Sequence, residues 1–166
     1  MQVPVRKPGK YTHLKPDPHM TEDKFNELKA KLERLKKVSH PRAAAEVKRL
    51  AEMGDFSDNA AYSMAKGRLR GINQRVIDME EHLKQAVIIK PGPKTGLVEL
   101  GSKVTVEVNG KEKTFLILGS SETDPFSDVI SRNSPVGRAL LGGSVGEVKR
   151  VITASKNVEY KIVRIE

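Results

Sequence analysis

Gly54-Asp55-Phe56-Ser57-Asp58-Asn59-Ala60-Ala61-Tyr62 separates two long segments whose apolar residues recur at helical spacing. The stretch breaks that spacing and puts acid where the flanks are basic. Downstream, Tyr62, Ala65, Leu69, Ile72, Val76, Met79, Leu83 and Ala86 form a 3–4 heptad seam. A seam of this kind needs a partner helix. Upstream, Thr21 is an N-cap candidate, and Glu22 and Asp23 follow where the helix dipole favours acid. Phe25, Leu28, Leu32, Leu35 and Val38 continue the pattern, His40-Pro41 interrupts it, and Ala43, Val47 and Leu50 resume it. Proline removes a helical hydrogen bond, so the reading is a helix kinked or briefly broken there and running to about Met53. The two helices then form an antiparallel coiled-coil hairpin over residues 20–89, with residues 54–62 at its tip. Each arm would span about 40–50 Å, more than a globular core requires.

The net charge of +9 sits mainly in the first half. Residues 1–90 carry 19 Lys+Arg against 12 Asp+Glu, and residues 91–166 carry 11 against 9. An anionic partner, most simply a nucleic acid or a nucleic-acid machine, fits this distribution as well as a solvated basic coiled coil does. Aromatic residues are 4% and Trp is absent, which argues against an aromatic-lined pocket and against base stacking. With no Cys there is no disulfide, thiolate metal site or Cys nucleophile. No apolar run follows Met1–Lys7, and no segment approaches the ~18 apolar residues of a membrane span, so the expectation is a cytoplasmic protein.

Residues 1–19 hold Pro4, Pro8, Pro16 and Pro18 among scattered Lys and Arg, and read as a flexible basic leader. Residues 90–96, Lys-Pro-Gly-Pro-Lys-Thr-Gly, read as a linker. Residues 97–166 then read as a small antiparallel sheet with one short helix. Val104, Val106 and Val108 alternate with polar residues, Asn109-Gly110 is a type I′ hairpin signal, and Thr114–Leu118 is the return strand. Gly119 to Asp128 is polar and turn-rich. Ser134-Pro135 opens a helix that Gly142-Gly143 closes, and two strands, Glu147–Ile152 and Val158–Ile165, complete an α+β chain.

Asp55 and Asp58 are two tip carboxylates three residues apart. They can act as hard oxygen ligands for Mg²⁺, or one can position a water. They can equally be the N-cap and N3 acid of the second helix, with Ser57 and Asn59 as ordinary turn residues. Lys48 and Arg49 precede the tip and Lys66, Arg68 and Arg70 follow it, a basic surround that would attract a phosphate chain. The other histidines and serines form no catalytic set.

With these residues in hand, the chain resembles the bacterial GreA/GreB transcript cleavage factors over roughly residues 20–166. The tip is similar to the family's Gly-Asp-Leu-Ser-Glu-Asn-Ala-acid-Tyr, and Ile130-Ser131-Arg132-Asn133-Ser134-Pro135-Val136-Gly137-Arg138-Ala139-Leu140-Leu141-Gly142 to its Ser-Pro-Leu-Gly-Arg-Ala-Leu segment. Lys66-Gly67-Arg68-Leu69-Arg70 leans to the GreB type, and Asn133 to the GreA type. The resemblance implies a coiled-coil hairpin followed by an FKBP-like, polymerase-docking domain. It implies an accessory factor, not an enzyme, whose hairpin enters the secondary channel of RNA polymerase. Its tip carboxylates, Asp55 and Asp58, would share the polymerase's Mg²⁺ without binding it tightly in the free protein. The backtracked RNA 3′ end would then be cut and elongation rescued. Lys48, Arg49, Lys66, Arg68 and Arg70 would face RNA and polymerase. Ser57, Asn59 and Tyr62 would support the tip, and Asn133, Ser134 and Pro135 would lie in the docking segment of a monomer.

The sequence departs from the family's pattern at Asp58, where a Glu is usual, at Ala61, where an acid is usual, and in the leader. The turn near Ser155 lacks a Pro-x-Gly. A channel-binding regulator that does not stimulate cleavage is the competing expectation, since the Asp58 arm is one methylene shorter. A prolyl isomerase is disfavoured by the few aromatics of the second half, Phe115, Phe126 and Tyr160. A coiled coil that binds DNA or RNA directly would show salt-dependent affinity without polymerase.

Overall fold

A computed structural model describes residues 17–53, 60–90, 96–124, 126–152 and 157–166. Strand β1, His19–Met20, leads into helix α1, Glu22–Arg34. Thr21 is its N-cap, with the Thr21 hydroxyl accepting from the Lys24 N–H at 3.2 Å. A π turn, Leu35–Ser39, joins α1 without a break to α2, His40–Glu52. Pro41 has no N–H to give to the carbonyl four residues back, and its ring crowds that carbonyl. The chain answers with a wider turn, in which the His40 N–H donates to the Leu35 carbonyl, five residues back. The proline that reads as a kink or break is therefore absorbed within a continuous arm, residues 22–52, about 46 Å long at ~1.5 Å per residue.

The wider turn also shifts the seam. Ser39 and His40 become half-buried and Val38, expected on the seam, is 39% exposed. Helix α3, Ala60–Lys84, returns antiparallel over about 37 Å. Every residue of its seam from Tyr62 to Leu83 is less exposed than its immediate neighbours, apart from His82 beside Leu83. Across the hairpin, Ala65 and Ala43 are buried and the larger seam residues half-buried. Ion pairs Arg68–Glu46, at 2.9 Å, and Lys36–Glu80 bridge the arms. Strand β2, Val87–Ile88, pairs in parallel with β1 at the base, opposite the tip.

The second half is a five-stranded sheet in the order β5-β4-β3-β7-β6. Its strands are β3 Lys103–Val108, β4 Lys111–Leu118, β5 Val129–Ser131, β6 Val148–Ile152 and β7 Asn157–Ile165. Asn109 and Gly110 turn β3 into β4 with φ of 51° and 74°, as a type I′ turn requires. One strand departs from the antiparallel expectation. The polar stretch after Gly119 makes a 3₁₀ turn, Ser120–Glu122, and returns as β5, parallel to β4. Val129-Ile130-Ser131 is too short to announce itself by alternation. Helix α4, Pro135–Leu140, is capped by the Ser134 hydroxyl, which accepts from the Gly137 N–H at 2.9 Å, and ends at Gly142 with φ 75°. It lays Leu140 on a core of Val98, Val104, Val106, Phe115, Ile117 and Ile162.

Three helical glycines respond differently to a methyl group. At Gly67 and Gly71 of α3 a Cβ would meet nothing within 4 Å, whereas at Gly137 of α4 it would lie 2.2 Å from the Ser131 carbonyl oxygen. Gly67→Ala and Gly71→Ala are expected to stabilise by about 0.5–1 kcal/mol each, through a smaller loss of backbone freedom. Gly137→Ala is expected to destabilise by more than 1 kcal/mol, or about that much at least, because backbone must move. Urea unfolding midpoints measure the opposite signs.

Candidate functional site

Asp55, Ser57, Asp58 and Asn59 lie outside the described residues, so the site is built here from the two helix ends that flank them and from the base of the hairpin. Met53 and Met64, on the ends of the two arms, are 66% and 72% exposed. Tyr62 is half-buried, and the Lys66 ammonium lies 5.2 Å from its ring centroid, within cation–π range. Lys48 stands 3.9 Å from Glu52, and Arg68 is paired with Glu46. Arg49 and Arg70 are exposed and have no carboxylate in ion-pair reach among the described residues. The five basic residues therefore differ: Lys48 and Arg68 are paired with carboxylates on the hairpin, and among the described residues Arg49, Lys66 and Arg70 have no carboxylate in ion-pair reach.

The base of the hairpin holds a polar junction. Asp17 to Thr21 form a strap between the helices and the sheet. On the hairpin side, Val87 N–H donates to the Pro18 carbonyl and Ile89 N–H to the Met20 carbonyl, both at 2.8 Å. The His82 ring, in the last turn of α3, reaches the Asp17 carbonyl at 3.2 Å. On the sheet side, Glu122 accepts from the Thr21 N–H at 2.9 Å and from its hydroxyl. The Asp17 side chain is only 4% exposed. It accepts from the His19 N–H at 3.1 Å, faces His19 Nδ1 at 3.0 Å and accepts from Asn133 Nδ2 at 3.1 Å. Arg132 Nη1 approaches the His19 ring at 3.0 and 3.2 Å. With Nδ1 protonated, its N–H donates to Asp17, while Arg132 Nη1 sits about equally near both ring nitrogens.

Burial alone would raise the Asp17 carboxyl. The hydrogen bonds from the His19 backbone and side chain and from the Ser120 backbone, together with the Arg132 charge, outweigh it and hold the group below the usual carboxylate range.

Of the docking-segment residues, Ser134 and Pro135 form the start of α4, and Pro135 is exposed. Asn133 adjoins the strap. Both hydrogens of its side-chain amide have partners within the chain, Asp17 Oδ2 and Ser120 Oγ, each at 3.1 Å. Asp17, His19, Gly119, Glu122 and Arg132 carry this junction and were not singled out by their pattern in the sequence. One signal points to it: Met20 and Phe25 stand at the N′ and N4 positions around the Thr21 cap, the spacing of a hydrophobic staple. Met20 is fully buried. Of the second-half aromatics, Phe115 is buried against Tyr160, while Phe126 is 99% exposed. Among the described residues no group of three His, Asp or Glu is placed to hold a metal ion, and no helix is long and apolar enough to cross a membrane.

Two family models match the chain in succession. Residues 19–88 match the model described as "Transcription elongation factor, N-terminal", and residues 93–166 match "Transcription elongation factor, GreA/GreB, C-term". Among relatives, transcription elongation factor GreA of Macrococcus caseolyticus is 38% identical over 88% of this chain and 94% of its own length. That of Thermomicrobium roseum is 35% identical over 89% and 96%. A solved structure, GreA factor homolog 1 of Thermus thermophilus, aligns over 90% of this chain and 99% of its own with 28% identity and a TM-score of 0.42, too loose a superposition to transfer geometry. A basic helical hairpin joined to a small curled sheet thus defines a class, the accessory factors of transcription elongation. The chain belongs to the GreA/GreB family.

The depressed Asp17 carboxyl fixes a sign. Its proton binds more readily in the unfolded chain, so its contribution to stability is present above the unfolded pKa of about 3.9 and is lost as pH falls through the lower folded value. The gap in thermal midpoint between the parent and Asp17→Asn is expected to be widest near neutrality and to close as pH is lowered from about 5 to about 2.5.

Proposed function

We propose that this chain stimulates the cleavage of backtracked RNA by RNA polymerase, with the hairpin entering the secondary channel and the sheet domain docking at its rim. The observation that carries this reading is the hairpin itself. Its seam buries little beyond the partner helix, yet its arms run about 37–46 Å to an end ringed by basic residues. Length that adds no core is explained as reach.

At the far end Asp55 and Asp58 would stand beside the polymerase's metals. A second Mg²⁺ at a two-metal site needs added negative charge, and two lent carboxylates would supply it and orient the attacking water. The chain's own contribution is placement and charge, so it acts as an accessory to another protein's chemistry. Lys66, Arg49 and Arg70 would draw the phosphate backbone of the extruded RNA towards those carboxylates, and Lys48 and Arg68 would do so less, being partly neutralised. Ser57, Asn59 and Tyr62 would hold the tip. Pro135 and the start of α4 would present the docking surface.

A second reading, a channel occupant that leaves cleavage unstimulated, is favoured by one feature only, the shorter arm of Asp58. Displacements of about an ångström matter greatly at a reacting centre.

Backtracked elongation complexes separate the two. The parent is expected to accelerate release of 3′ RNA fragments. Asp55→Asn is expected to return that rate to background while the concentration that half-saturates polymerase binding stays within about twofold, since a transition-state contribution is removed and not uniform binding. Equal loss of binding would make Asp55 a helix cap, and no acceleration by the parent would leave only the occupant.

A further inference from the structure

The strap Asp17–Thr21 touches both halves of the molecule, and its geometry leaves little play. On the sheet side it is held by several residues, among them Ser120, whose backbone hydrogen-bonds the Asp17 carboxylate. Glu122 grips the N-cap residue of α1 through both its N–H and its hydroxyl. Asn133 and Arg132 hold Asp17 and His19. Gly119 lies so close that a Cβ there would come within 1.8 Å of the His19 carbonyl oxygen. On the hairpin side the strap continues into α1 and is stitched to β2 and His82.

We infer that this strap sets the direction in which the hairpin leaves the sheet domain, and that Asn133 serves as a positioning residue upon it and not as a contact to polymerase. Both side-chain donors of Asn133 already have partners within the chain, and its backbone N–H donates to Ser131 Oγ at 3.0 Å. Asn133 is exposed, so its assignment rests on its donors, which are spent within the chain, one of them on a buried charge.

The lever arm makes this matter. With about 46 Å between Thr21 and the end of the first arm, a rotation of about 5° at the strap moves the tip by about 4 Å. Chemistry that tolerates an error of about 1 Å then requires the junction to be fixed to within about 1–2°. A few hydrogen bonds at the base can thus govern placement at the far end without touching it. The functional half of this inference rests on the reading above, and the geometric half does not.

The full-length chain tests it directly. Because the sequence has no Cys, the pair Gln74→Cys and Lys111→Cys takes spin labels at two chosen points only, one on the hairpin and one on the sheet. In the free protein, the inter-label distance distribution is expected to be narrow. With Asn133→Ala and Glu122→Ala together, it is expected to broaden at least about twofold. In the cleavage assay, the same double variant without labels is expected to lose about tenfold or more in rate at saturating factor, with the half-saturating concentration unchanged within about threefold. Glu122→Gln, which keeps an acceptor for Thr21, is expected to recover most of both readouts beside an intact Asn133.

An unchanged distance distribution would overturn the strap as the orienting element. A full saturating rate reached only at about tenfold higher concentration with Asn133→Ala alone would overturn its positioning role and make it a contact. If the parent itself stimulates no cleavage, the reading of function fails, and the distance measurement still decides the strap.

Discussion

Neither helical arm of this protein can stand alone. Each carries one apolar stripe and is charged elsewhere, and among the described residues the other arm covers that stripe. Isolated helices are marginal in water even when long, and most of their stability in proteins comes from burying one face. The mutual covering of the two stripes is therefore the condition on which everything else rests. It makes the hairpin antiparallel and brings the N-terminal strap and the C-terminal end of α3 together at its base. There β1 and β2 can pair and the strap can meet the sheet. Ala43 and Ala65, one on each arm, are the buried seam residues, small side chains that let the backbones approach.

The division of labour follows from that condition. Between arms with so thin a core, the hollows among the described residues, such as that lined by Leu28, Leu35, Arg75 and Met79, are open grooves and not enclosed sites. What the hairpin can offer is position, charge and length. The sheet domain has the conventional interior, with Val104, Val106, Ile117, Leu140 and Ile162 at or near zero exposure. It supplies the rigid body from which the hairpin is aimed.

Much of this was legible in the residues. The 3–4 stepping from Tyr62 to Leu83 reports a stripe whose burial decides which residues are apolar, so pattern and structure must coincide. Asn109-Gly110 is legible because two consecutive positive φ angles exclude most other pairs, and Thr21 and Ser134 because a helix N-terminus needs a side-chain acceptor. What was not legible has physical reasons too. A π turn leaves no compositional trace other than the proline it accommodates, and that proline fits a break equally well. Strand β5 is only three residues, too few for a period. The junction around Asp17 joins residues more than 100 positions apart through polar side chains, which in sequence look like any solvated surface. Of the candidate site, the charge distribution around the tip could be read from the sequence, whereas the hydrogen bonds from Asn133 to Asp17 and Ser120 could not.

The π turn has a consequence for how the hairpin can vary. A coiled-coil seam ordinarily locks both helices into one register along their whole length, so an added residue anywhere would throw every later contact out of phase. Leu35–Ser39 is a place where the seam has already absorbed an irregularity, one extra residue in the repeat. It divides the arm into a basal cassette, tied to the strap, and a distal cassette, which bears the tip. Phase on one side is no longer dictated by phase on the other. The business end of the probe can be rotated or lengthened about that point over evolutionary time while its anchorage stays as it is.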